Sequence, residues 1–252
     1  MGRLHTVRRL EDPVRGLVVQ KRVADASRED LRLRLVHEAR ALSRCAGRPT
    51  PRLLAFHPDG SLVMEHVAGA EPVRWLGHGR ARARDAWQLV TAVADAVGRL
   101  HDHGIVHRDL KPAHVRVEAG GAVRLLDLGV CAPLGAAHAL GPAWEDLAAG
   151  TVAYAPPELR GCPDRATAAT VDVYALGVLA LEIATGERLP EVDGGAAWRG
   201  EWVRWRFVEQ GFPAACAAVV QAATADDPRS RPATAAAWRR LWWEAGRARF
   251  RA

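Results

Sequence analysis

The hydrophobic periodicity of this chain changes at Gly69, and that change restricts it to folds that set a small sheet beside a larger helical body. Before it, apolar runs are short and bounded by turn residues. Val7–Leu10 and Leu17–Val23 flank Glu11-Asp12-Pro13-Val14-Arg15-Gly16, and Leu53–Phe56 and Leu62–Met64 flank Pro58-Asp59-Gly60, so each set predicts a hairpin. Between the hairpins, Leu31, Leu35 and Leu42 predict one helix, with Ser27 as its cap, Asp30 in the third position and Gly47-Arg48-Pro49 ending it. After Gly69 the spacing is helical. Trp87, Val90, Val93, Ala94, Val97 and Leu100 describe a long amphipathic helix over residues 82–103. A third hairpin follows over 115–117 and 123–126, and helices are expected near 171–184, 199–209, 213–224 and 234–248. The fold class is therefore read as α+β.

Only two of the 35 basic residues are lysines, Lys21 and Lys111; the other 33 are arginines. A lysine kept twice in an arginine-biased chain points to sites that use a compact, movable ammonium, as phosphate chemistry does. Net charge is +6 with arginine spread along the whole chain, so a solvated surface is the reading, and no nucleic-acid partner is expected. No apolar leader opens the sequence. The longest apolar stretch, 171–184, is short for a bilayer and carries Asp172 and Glu182, which gives a cytoplasmic protein with no membrane partner as the expectation. Cys45, Cys131, Cys162 and Cys216 are far apart in sequence and are read as reduced thiols.

Three short motifs follow in order: His107-Arg108-Asp109-Leu110-Lys111-Pro112, Asp127-Leu128-Gly129 and Ala155-Pro156-Pro157-Glu158. Each alone is weak; Asp109 would read as a helix cap and Lys21 as an edge-strand lysine. In this order and spacing the chain resembles the eukaryotic-type protein kinases, including the serine/threonine kinases of bacteria, from Val7 to about Trp243. The resemblance implies one bilobal kinase domain over 1–252, with a small β-rich N-lobe (1–66) and a mainly helical C-lobe (67–252). It implies ATP and magnesium as cofactors. Asp109 would accept or orient the substrate hydroxyl proton, Lys111 would steady the moving phosphoryl group, and Asp127 would hold the metal. Lys21 would meet the α- and β-phosphates and be held by Glu38, in preference to Glu29 at the helix start. Met64 would lie behind the adenine, with backbone groups near Glu65 and Val67 at its polar edge. Asp172 would tie down the catalytic loop, Arg231 would pair with Glu158 as a structural contact, and Thr151 in Gly150-Thr151-Val152-Ala153-Tyr154 would touch Asp109 and Lys111.

The sequence departs from the family pattern in ways that bear on activity. His114 stands where the catalytic loop has asparagine, and the chain contains no asparagine. Magnesium prefers oxygen, so a nitrogen ligand there would weaken a second ion, act through water, or favour manganese. The first strand and its glycine-rich turn are missing before Lys21, through loss or through a start placed too far downstream; without them, amide contacts to the phosphates are lost. Val19 stands where the family usually has alanine, and Leu128 replaces phenylalanine, a mild change. Residues 129–149 hold no serine, threonine or tyrosine, which argues against activation by phosphorylation there; Glu145 or Asp146 is the expected partner of Arg108 instead.

The leading expectation is an ATP-dependent serine/threonine kinase acting on a protein substrate. The alternative is a pseudokinase, a nucleotide- or protein-binding regulatory module, and a kinase of small molecules is a third. Trp198, Trp202 and Trp205 are expected to line a buried helix face, and Trp238, Leu241, Trp242 and Ala245 to dock the last helix on the C-lobe.

Overall fold

The computed structural model describes residues 5–25, 27–77, 83–136, 153–161, 167–187 and 200–250. Strands β1 (His5–Asp12) and β2 (Gly16–Val23) pair antiparallel along their whole length, with Val7 opposite Lys21. Asp12 closes their turn by accepting from the amides of Val14 (2.9 Å) and Arg15 (2.8 Å), and Gly16 takes the positive φ of +71° that the turn needs. Helix α1 (Glu29–Cys45) crosses next, followed by β3 (Leu53–Phe56) and β4 (Leu62–Glu65). The sheet order is β1-β2-β4-β3, so β2 and β4 are central. Because strand side chains alternate, His5, Val7, Val19, Lys21 and Met64 share the face that looks toward the second lobe.

That lobe comprises α2 (Pro72–Leu76), α3 (Ala83–Asp102), β5 (Ile105–Val106), β6 (Val115–Val117), β7 (Val123–Leu125), β8 (Ala132–Pro133), α4 (Pro157–Gly161), α5 (Thr170–Thr185), α6 (Glu201–Glu209), α7 (Ala214–Ala223) and α8 (Ala235–Phe250). The arrangement is bilobal and α+β, a sheet-rich lobe over a largely helical one. Helix α5 is apolar all round because it is buried all round, from Val171 to Ala184. Its two acids are satisfied internally; Glu182 accepts from the Tyr154 hydroxyl at 2.9 Å, and Asp172 serves the site below.

Helices α3 and α8 lock through a reciprocal pair of indole bonds. Trp87 Nε1 donates to the Trp242 carbonyl (3.2 Å), and Trp242 Nε1 donates to the Trp87 carbonyl (3.1 Å). Trp87 also stacks on Trp243 with ring centres 4.4 Å apart, and a Cβ on Gly246 would clash with the Trp87 indole. Burying large rings of this kind is worth roughly 1.5–3 kcal/mol each.

Three expectations are corrected. Ser27 does not cap α1. Its amide and hydroxyl both bond Asp25 Oδ1 (3.0 and 2.7 Å), and the cap position is Arg28, whose guanidinium binds Asp30 bidentately (2.9 and 2.8 Å). A carboxylate two residues upstream outcompeted the helix end for the serine. The α6 tryptophans are not core: Trp205 is 57% exposed and Trp202 36%. The inward face of α6 is Val203 and Phe207, one turn apart, which leaves Trp202 and Trp205 outside, with Arg206 lying 5.5 Å from the Trp205 ring. In α8, Trp238 and Trp242 are buried as expected while Leu241 is 45% exposed. Thr151, Glu145, Asp146, Cys162 and Trp198 lie outside the described residues.

Candidate active site

The site lies where β2, the buried face of α1 and the loops around β7 meet. Lys21 is buried among apolar neighbours and donates to Glu38 Oε2 (2.8 Å) and Asp127 Oδ1 (2.9 Å). Glu38 reaches it because it shares the inward stripe of α1 with Leu31, Leu35 and Leu42; Glu29, in the first turn, does not lie on that stripe. Asp127 takes a positive φ of 60°, and its Oδ1 also accepts from the Gly129 amide (3.2 Å). A Cβ on Gly129 would come within 3.1 Å of that same oxygen, so glycine leaves the carboxylate room. Leu128 beneath them is fully buried.

One ammonium between two carboxylates cannot satisfy both equally. Burial acts to raise the Asp127 pKa, but Lys21 and then His114 overcome it and hold the acid well below the ordinary carboxylate range. Glu38 is raised, by burial first and despite Lys21, with the Asp127 charge acting in the same direction. Lys21 is itself raised, since the pull of Asp127 and Glu38 exceeds the cost of burial.

The loop after β5 is shaped by Asp172 from inside α5. Its two oxygens accept the amides of His107 and Arg108 (2.8 Å each), and Oδ2 also meets His101 Nε2 (2.9 Å). Arg108 consequently holds a φ of 69°. His107 bonds the Leu126 carbonyl through Nε2 (3.0 Å), which makes Nε2 the donor and leaves Nδ1 to accept from the Asp109 amide (3.3 Å). The loop thereby presents Asp109 with both oxygens on Lys111 Nζ (3.1 and 2.9 Å).

His114 closes the group. It ends the short 3-10 turn Pro112–His114, and its Nδ1 bonds the Asp109 carbonyl at 2.9 Å. A carbonyl only accepts, so Nδ1 carries the proton and the lone pair of the neutral ring sits on Nε2, 3.8 Å from Asp127 Oδ2. Burial pushes the His114 pKa down, against the pull of Asp127 and Asp109.

Between the lobes Lys21, Glu38, His114 and Asp127 line a cavity of about 290 Å³ whose walls also include Val7, Val19, Met64 and Val67. Mostly apolar with a charged end, it has the make-up of a small-molecule site. The Glu65 amide is committed to the Arg52 carbonyl (2.9 Å), and the Glu65 carboxylate accepts from Arg124 Nη2 (2.8 Å). Away from the cavity, Arg231 binds Glu158 bidentately (2.6 and 2.9 Å). Sequence reasoning missed three polar side chains near the site: His101 on Asp172, Arg124, and His5. His5 lies on the Lys21 face, and its Nε2 is buried with no partner among the described residues. The signal for Arg124 is a charged residue inside the apolar run Val123-Arg124-Leu125-Leu126.

A sheet lobe over a helical lobe, with a lysine–glutamate pair at the back of the cleft between them, is the protein kinase fold. The protein kinase domain family matches residues 10–242, and the chain belongs to that family. It is 35% identical over 179 residues to the serine/threonine-protein kinase PkaA of Streptomyces coelicolor, covering 68% of this chain and 32% of that one. It is 39% identical over 150 residues to the serine/threonine-protein kinase Pkn1 of Myxococcus xanthus (57% and 20%). With a probable serine/threonine-protein kinase PknB of Lactococcus lactis it shares 33% identity over 135 residues (52% and 20%). The matched regions span about a fifth to a third of those relatives' lengths.

Proposed function

We propose that this chain is an ATP-dependent protein kinase that transfers the γ-phosphoryl group to serine or threonine hydroxyls of a protein substrate in the cytoplasm. The observation that carries the reading is the convergence of Lys21, Glu38 and Asp127 within 3 Å contacts on the cleft side of the sheet, next to an Asp109 already fixed by Lys111. Adenine would lie against Val7, Val19 and Met64, with its polar edge toward Glu65 and Val67. Lys21 would orient the phosphates, held from behind by Glu38. Asp109 would take the substrate hydroxyl proton while Lys111 balances charge on the phosphoryl oxygens, and Thr151 would complete this side. Phosphoryl transfer needs little beyond such positioning and charge stabilisation.

The donor set fits a divalent ion in part. Asp127 offers the hard oxygen that magnesium prefers, and the His114 lone pair offers a nitrogen beside it. Ions bound there would neutralise charge on the phosphates. Asp127 and His114 would hold such an ion from one side, His114 Nε2 lying 3.8 Å from Asp127 Oδ2. A mixed nitrogen–oxygen pair suits manganese better than magnesium. A second reading, a pseudokinase serving a regulatory protein partner, is favoured by the same residue, His114.

Transfer from labelled ATP to a basic protein substrate separates the readings. The expected result is transfer that is stronger with manganese than with magnesium and absent in Asp109→Ala. Equal rates with both ions would count against the metal role of His114. No transfer by wild type with either ion, alongside retained nucleotide binding, would establish the pseudokinase.

A further inference from the structure

Strands β6 and β7 pair so that Arg116 stands directly opposite Arg124, and cross-strand partners share a face. The two guanidiniums on that face are answered differently. Arg124 meets two acids, Glu65 (2.8 Å) and Glu118 (3.3 Å). Arg116 donates through Nη1 to the carbonyls of Ala113 and Val115 (3.1 Å each) and, among the described residues, forms no ion pair. Its Nε and Nη2 groups are left for other acceptors.

Arg116 is also part of the cavity wall, half-buried between the fully buried Val115 and Val117. The charges of that wall pair off almost completely. Lys21 is shared by Glu38 and Asp127, Glu65 belongs to Arg124, and Arg116 is the cation left over among the described lining residues. A nucleotide runs from base through sugar to phosphate, so its sugar would lie between the Met64–Val67 end of the cavity and the Lys21 and Asp127 end. Ala113 lines the cavity too, next in sequence to His114, whose ring stands 3.8 Å from Asp127. The Arg116 guanidinium, tied to the Ala113 carbonyl, is therefore beside the sugar segment. Adenine and ribose carry no charge, so ATP with its phosphates on Lys21 leaves this cation unanswered. A fork held by two carbonyls through one nitrogen is already oriented, and its Nε and Nη2 edge can take two phosphate oxygens at once.

We propose that Arg116 is a specificity-determining residue of the cleft that binds a phosphate carried on the ribose, so that nucleotides phosphorylated both at the 5′ position and at a ribose hydroxyl bind more tightly than those with a free ribose. This rests on the nucleotide-binding reading of the cleft and names a ligand class for it. Lys21 meets the 5′ phosphates and Arg116 the ribose phosphate, and such a nucleotide competes with ATP for the cavity. Arg116→Lys keeps the charge and loses the fork, whereas Arg116→Leu removes both.

The test titrates the full chain by calorimetry with AMP, adenosine 2′,5′-bisphosphate and adenosine 3′,5′-bisphosphate, and repeats the series with Arg116→Leu and Arg116→Lys beside their thermal midpoints. Charge-assisted bonds to a phosphate predict that at least one bisphosphate binds wild type about tenfold more tightly than AMP, a ratio that falls to about threefold in Arg116→Lys and to about one in Arg116→Leu. Each protein is compared with itself, so a general loss of affinity or stability cancels from the ratio. Equal affinity of wild type for all three nucleotides would overturn the proposal without touching the nucleotide reading. A gain that persists undiminished in Arg116→Leu would overturn it as well, assigning the effect to the overall positive charge. Binding of none of the three would remove the nucleotide reading itself, and the proposal with it.

Discussion

Two buried ion pairs of similar length do opposite things in this molecule. Around Arg231 every donor has an acceptor: Glu158 takes two bonds, and the carbonyls of Ala225 (2.7 Å), Thr170 (3.1 Å) and Asp226 (3.1 Å) take the rest. Its guanidinium also lies 5.0 Å from the Tyr174 ring. Around Lys21, one cation faces two carboxylates, and the side chain of one of them, Asp127, is 42% exposed to the cleft. A saturated, charge-balanced pair can only hold chain segments together. An unbalanced one with an open side is stabilised by an arriving cation, which makes it responsive to what enters the cleft.

The comparison is tested hardest by Arg231→Ala. It strands Glu158 and three carbonyls, so a loss of about 3–5 kcal/mol is expected by chemical denaturation; a loss below about 1 kcal/mol would erase the distinction. Lys21→Met should divide the other way. Burial raises the Glu38 pKa, which eases its protonation once the lysine is gone, and Asp127 can face solvent, so stability falls by less than about 2 kcal/mol, whereas phosphate transfer drops at least about 100-fold, or about 2.7 kcal/mol in the barrier. Equal destabilisation by both substitutions would sink the contrast.

The smallest effect concerns acid. Burial, and next the Lys21 charge, push the His5 pKa from 6.5 down to about 4. The folded state thus binds fewer protons than the unfolded chain across that window. Stability is complete above the unfolded value and declines as the pH falls toward the folded one. Thermal midpoints at pH 7 and pH 5 should therefore differ more in wild type than in His5→Gln; an identical drop would show that His5 does not report on the Lys21 cluster.

Much of the architecture was legible because it rests on local periodicity. The two N-terminal hairpins, the inward stripe of α1, the long α3 and the apolar α5 follow from spacing of two, or of three to four, and of the residues that the motifs singled out, Lys21, Glu38, Met64, His114 and Asp127 line one cavity. What escaped depends on competition or distance. Ser27 had the chemistry of a cap, but Asp25 was nearer. Trp202 and Trp205 had the size of core residues, yet the inward positions of α6 fall on Val203 and Phe207. Arg124 alternates as a solvent-facing strand residue should; only the folding of residues 47–50 over β7 buries it, and nothing local in the sequence records that approach. His114 was readable as a departure, while the direction of its lone pair required the Asp109 carbonyl.

The packing of Gly246 against Trp87 has a bearing on where this domain can be cut. The family match stops at residue 242, but the indole of Trp87 is covered by Trp243, Gly246 and Phe250 beyond that point. A shortened protein that respects the family boundary would uncover a tryptophan at the heart of its larger lobe. At Gly246 itself, any side chain acts as a wedge between two helices, so this one position of α8 admits no side chain unless the helices part.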